Sequence, residues 1–78
     1  MKKHTTRLQG MGICEGIQAK DLKVGDVTIW NNGFEETILS IEMSKTGKTM
    51  KCNVGYNFMG EAKTAERKMM SARIVVVK

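Results

Sequence analysis

The segment that most invites a chemical reading is Thr46-Gly47-Lys48-Thr49, because Gly-Lys-Thr is how a phosphate-binding loop ends. The complete loop also needs a glycine five positions before Gly47 and a helix after the threonine. Position 42 is Glu, and the residues after Thr49 alternate as a strand does. The segment therefore reads as the tip of a β-hairpin. Other catalytic arrangements fare no better. The one histidine, His4, lies near the N-terminus, so the body of the chain offers no Ser–His or Cys–His pair. Glu35 and Glu36 are adjacent, and adjacent strand residues point to opposite faces. Asp21 and Asp26 flank a turn, where carboxylates cap backbone amides. Cys14 and Cys52 are 38 positions apart and, with His4, fall short of the four close-set ligands of a structural zinc site. Both read as free thiols, Cys52 in the core. No catalytic residue, metal ligand set or cofactor site is expected, and the chain reads as non-enzymatic.

Charge is the asymmetric feature. The 78 residues carry 13 Lys+Arg and 8 Asp+Glu, a net charge of +5. From Ile17 to Glu42, two lysines and five acids give −3; from Met43 to Lys78, eight bases and two acids give +6. Lys45, Lys48 and Lys51 surround one hairpin, and Lys63, Arg67, Lys68 and Arg73 follow. If the strands that carry them lie side by side, these bases form one patch that attracts phosphates by counterion release. An ordinary solvated edge, where lysine deters strand addition, is the competing reading. Trp30, at the end of a strand beside Asn31-Asn32-Gly33, is a candidate stacking group, or else a cap on the end of the core. Tyr56 and Phe58 share the apolar face of their strand and read as core. Seven methionines suit both an irregular core and an adaptable protein surface. Met69 and Met70 cannot both be buried by alternation, so one is expected to be exposed.

These side chains must be positioned by strands. Val27-Thr28-Ile29-Trp30 is a short strand entered through Val24-Gly25-Asp26, after a single turn at Ala19-Lys20-Asp21-Leu22. Asn31-Asn32-Gly33 turns into a longer strand that places Thr37, Leu39, Ile41 and Met43 on one face and Ile38, Ser40 and Glu42 on the other. After the turn Ser44–Lys48, Met50, Cys52, Val54, Tyr56 and Phe58 alternate with polar residues, the clearest strand signal in the chain. Gly60 pivots the next loop. Ala62–Met70 has helix-forming composition, yet it sits between strands and is expected to be a polar edge strand; a helix there would give a roll with one helix. Ile74-Val75-Val76-Val77 is a strand by its β-branched run.

The expected fold is thus all-β: a small five-stranded antiparallel SH3-like barrel or roll over residues 17–78, preceded by a flexible basic leader at 1–16. The leader reads either as a mobile tail or as an arm that tightens against a polyanion. No apolar run is long enough to span a membrane, and no apolar stretch follows Lys2 and Lys3 as a secretory signal would, so a cytoplasmic location is expected.

The strings Ala19-Lys20-Asp21-Leu22-Lys23-Val24-Gly25-Asp26, Ser44-Lys45-Thr46-Gly47-Lys48-Thr49 and Arg73-Ile74-Val75-Val76-Val77 resemble small uncharacterised proteins of bacteriophages and mobile elements of Gram-positive bacteria. The resemblance implies an SH3-like β-barrel from Ile17 to Lys78. Its motifs are turn residues and carry no activity. Two functions are expected. One is a nucleic-acid-binding module, contacting DNA or RNA through Lys45, Lys48, Lys51, Lys63, Arg67, Lys68 and Arg73, with Trp30 stacking. The other is a protein–protein interaction module that modulates a host protein or self-associates. A structural part of a virion is a third option.

Overall fold

The computed structural model describes residues 4–78. Lys2 and Lys3 of the proposed basic arm lie outside them. Seven strands form one open antiparallel sheet: β1 (His4–Leu8), β2 (Gly12–Gln18), β3 (Val27–Ile29), β4 (Glu35–Met43), β5 (Thr49–Phe58), β6 (Glu61–Met70) and β7 (Ile74–Val77). Their order across the sheet is β1-β2-β7-β3-β4-β5-β6, with β1 and β6 at the edges. Single 3-10 turns lie at Ala19–Asp21 and Asn31–Gly33. No helix among the described residues is long and apolar enough to cross a membrane.

The five strands expected after Ile17 are present as β3 to β7, and Ala62–Met70 is strand rather than helix. Residues 4–16 differ from expectation. They are not an irregular leader: β1 and most of β2 come from them, paired from His4↔Gly16 to Leu8↔Gly12. The sheet consequently has seven strands and two free edges instead of five strands closed on themselves. The physical reason lies in the Asn31–Gly33 turn. The Asn32 amide donates to the Gln9 carbonyl at 2.6 Å, and the Gln9 amide donates to Asn31 Oδ1 at 2.9 Å. The tip of the β1–β2 hairpin is thereby tied to a turn more than twenty residues away. At its other end β2 joins β7 through Ile17↔Val75 and Gln18↔Ile74. The approach there is so close that a Cβ on Gly16 would lie 2.4 Å from the Val75 carbonyl oxygen.

The last connection shapes the molecule. Ser71-Ala72-Arg73 carries the chain from edge strand β6 to β7, in the middle of the sheet. A flat sheet would need a long crossover. The sheet instead curls, so that the end of β6 meets the end of β2. Two backbone bonds record this, Ala19 to the Arg73 carbonyl at 2.7 Å and Lys20 to the Ser71 carbonyl at 2.9 Å, while Ser71 to the Lys48 carbonyl at 2.9 Å extends the β5–β6 ladder up to the same junction. The curl encloses one core of Ala19, Leu22, Ile38, Met50, Cys52, Val54, Met69 and Val75. β5 follows its expected alternation as far as Val54. β4 does not, because its register with β5 shifts between Ile38 and Ser40. Glu36 and Ile38 point inward before this bulge and Ile41 after it, while Leu39 is 47% exposed. The expected single face of Thr37, Leu39, Ile41 and Met43 therefore does not exist; a bulge adds one residue and changes the phase of everything beyond it. Met69 is buried and Met70 exposed.

The β5–β6 hairpin closes through Met59-Gly60, with φ of 51° and 81°. This is the left-handed pair that Asn-Gly fills best and that a long side chain resists. Met59 is 88% exposed and has no packing to lose. Met59→Asn is expected to stabilise the protein by about 0.5–1 kcal/mol. In a domain of this size that raises the thermal midpoint by about 2–8 °C, readable by calorimetry.

Candidate functional site

Directly opposed residues of antiparallel strands share a face, so the registers of β5 and β6 sort the predicted bases. Lys51 faces Lys68 on the outer side of the sheet. Arg67 faces Cys52, and Lys63 faces Tyr56, on the inner side. Lys45 and Lys48 sit in the exposed β4–β5 turn, where Gly47 takes a φ of 72°. The seven bases are not brought into one patch.

Ion pairing divides them further. Lys51 is shared between Glu66 at 3.4 Å and Glu42 at 4.0 Å. Lys63 approaches Glu61 at 3.7 Å. Arg67 is bound to Glu36. Lys45, Lys48 and Lys68 form no ion pair among the described residues, and neither does Lys20. Like charges opposed across strands destabilise a sheet. Here Glu42 and Glu66 neutralise Lys51 and leave Lys68 with its charge unspent.

The junction at Ser71 gathers these unpaired lysines. The Ser71 side chain donates to the Gly47 carbonyl at 2.7 Å, with a second contact to that of Lys48 at 3.1 Å. Its own amide donates to Lys48, and its carbonyl accepts from Lys20. One buried serine thus fixes the turn holding Lys45 and Lys48 against the turn holding Lys20, just beyond the end of β6 that carries Lys68. Lys20 was not among the expected contacts. It lies in the acidic half of the sequence, and only the curl brings it across.

Trp30 and Arg73 belong to a different arrangement. Thr28 and Trp30 point inward, and Thr28 is fully buried. The Trp30 indole N–H donates to Thr28 Oγ1 at 2.9 Å, and that hydroxyl donates to the Glu36 carbonyl at 3.2 Å. The Arg67 guanidinium lies 4.3 Å from the centroid of the indole, and that of Arg73 lies 5.1 Å from it. Trp30 is half-buried against the core, so it serves as a seat for two cations rather than as an open stacking surface.

Arg67 is the centre of this cluster. Its Nε and Nη2 meet the two carboxylate oxygens of Glu36, the second at 2.9 Å. The Glu36 side chain is 4% exposed and that of Arg67 36%. A planar fork that is both bidentate and stacked suits arginine and excludes lysine. Burial of Glu36 was not legible in the sequence, since a strand carboxylate ordinarily faces water. Among the described residues no three His, Cys, Asp or Glu side chains group together as metal ligands would.

Two outcomes follow. Glu36→Gln removes the acceptor charge and leaves Arg67 short of a partner. Breaking a buried pair costs about 3–5 kcal/mol, and the partial exposure of Arg67 reduces this to about 2 kcal/mol, seen as a lower urea midpoint with an unchanged slope. The second concerns the free thiols. Burial pushes the Cys52 thiol up from its ordinary value. Cys52 is therefore expected to resist a thiol reagent in the folded protein, while half-buried Cys14 reacts first; equal rates would contradict the packing. Because the folded thiol holds its proton more tightly, this contribution to stability is intact below the unfolded value of 9.0 and is lost as pH rises from there through the raised folded value.

No family model matches this chain, and no curated protein and no solved structure matches it.

Proposed function

We propose that the chain is a non-enzymatic binding module, a small curled β-roll of the SH3-like kind, that contacts nucleic acid through the basic second half of its sequence. The phosphates are met at the Ser71 junction. The observation that carries this reading is the gathering of Lys20, Lys45, Lys48 and Lys68 at one end of the molecule. Each lacks an ion-pair partner among the described residues, whereas Lys51 and Arg67 are held by acids and Lys63 sits in a loose surface pair with Glu61. Unpaired lysines on an ordered backbone release counterions from a polyanion at little cost. Arg73, two residues beyond Ser71, has its guanidinium over the Trp30 ring and stands apart from these lysines. The resemblance to phage and mobile-element proteins fits such a role in the cytoplasm.

A second reading is a protein–protein module, for a host protein or a second copy. The two free sheet edges favour it, as do the exposed Ile13, Met59 and Met70.

The test is binding to labelled single-stranded DNA, duplex DNA and RNA across a salt series. The expected result is a linear fall of log affinity with log salt. Lys45→Glu/Lys48→Glu, at an exposed turn, is expected to flatten the slope by about 1.4–1.8, at 0.7–0.9 per phosphate lost. No binding at low salt, or an unchanged slope in the variant, overturns the proposal and leaves the protein–protein reading.

A further inference from the structure

Tyr56 and Phe58 were expected in the core. The core ends at Val54, and beyond it the inner face of β5 opens into a groove. Phe58 is 52% exposed and Phe34 37%, and Tyr56 is half-buried. Phe34 meets Tyr56 edge to face, their ring centroids 5.5 Å apart. The groove also takes in Lys63, Arg67 and Glu36. Its outer wall is β6, a free edge, so the groove is reached from the side without displacing any strand.

Three rings along one open face are an unusual expenditure for a chain with four aromatic residues in all. Burial does not account for them, because two are over a third exposed. Tyr56 and Phe58 stand two residues apart on one strand, about 6.6–6.8 Å, a spacing at which an extended polymer can lay one flat group on each. Lys63 projects from the same face directly opposite Tyr56. Its partner Glu61 is 75% exposed and 3.7 Å away, a loose surface pair that a phosphate can replace. Arg67 is held by Glu36 and adds no free charge. Planar apolar surfaces with one available cation beside them match a base and its adjoining phosphate.

We infer that the Phe34–Tyr56–Phe58 groove is a stacking platform for single-stranded nucleic acid, with Lys63 meeting the backbone. The inference rests on the proposed nucleic-acid contact and sharpens it: a duplex keeps its base faces covered and cannot use the rings. The polymer runs along the β6 edge from the groove to the lysines at the Ser71 junction.

The experiment compares a thymidine oligonucleotide with a duplex of equal length, for the wild-type protein, Phe58→Ala and Phe58→Tyr. The wild type is expected to prefer the single strand. Phe58→Ala is expected to weaken single-strand binding about tenfold with an unchanged salt slope, since stacking is not ionic. Phe58→Tyr should retain it. Phe58 is 52% exposed, so both variants are expected to keep the fold, which their circular dichroism verifies. Preference for the duplex, or equal binding by Phe58→Ala, overturns the platform. If binding persists and still responds to Lys45→Glu/Lys48→Glu, the phosphate contact stands and the platform alone falls. Loss of all binding in the wild type overturns both.

Discussion

Everything in this molecule depends on how the chain returns from the edge of the sheet to its middle. β6 is the last strand on one side and β7 lies between β2 and β3, yet three residues join them. Such a short link is possible only if the sheet rolls until its two ends meet. Ser71 holds that meeting with its amide, its carbonyl and its hydroxyl, and being buried it exchanges none of these bonds with water. The single core follows from the roll, because Ala19 and Leu22 come from one end of the sheet and Met50, Cys52 and Met69 from the other. So does the gathering of lysines that are remote in sequence.

The Glu36–Arg67–Trp30 cluster works on the same problem from inside. It links β4 to β6 across β5, where an apolar contact would have had to span a full strand. Arginine bridges that distance because its stem packs along apolar surface while its head reaches the carboxylate. The indole closes one side of the guanidinium, and the indole N–H is itself satisfied by Thr28. A polar group at each step has a partner, which is what permits such a network in a core this small.

Much of this was legible in the sequence, for identifiable reasons. β5 declared itself because Met50, Cys52 and Val54 alternate with polar residues and the structure buries all three. Turns declared themselves through Asn31-Asn32-Gly33 and Gly47. β4 was misread because a bulge leaves no mark on a period-two pattern; Leu39 looks like any core leucine until the register shifts beneath it. β1 and β2 were missed because His4, Thr5, Thr6 and Arg7 show little alternation, and their order comes from Asn31 and Asn32, far along the chain. The candidate site was legible as composition and not as geometry. The sequence names the bases of its second half, but a cation's availability depends on which acid sits beside it in space. Lys51 and Lys68 look alike on the page, and only Lys51 is neutralised.

The bulge at Leu39 has a consequence for how this chain can change length. Before it, β4 shows Glu36 and Ile38 to the interior; after it, Ile41. The strand is in effect two reading frames spliced at one residue. Removing that residue would leave Ile38↔Val54, Ser40↔Asn53 and Ile41↔Cys52 as a regular ladder with Glu36, Ile38 and Ile41 all still inward; it is straightening the bulge with Leu39 retained that would turn one half of the strand inside out, exposing either Glu36 and Ile38 or Ile41. Insertions at the hairpin tips cost only loop entropy, which grows slowly with length. Length variation among sequences that share this fold should therefore collect at the tips and at this one residue of β4, whose loss leaves both halves of the strand facing as they do, whereas a one-residue shift of register elsewhere turns a face over.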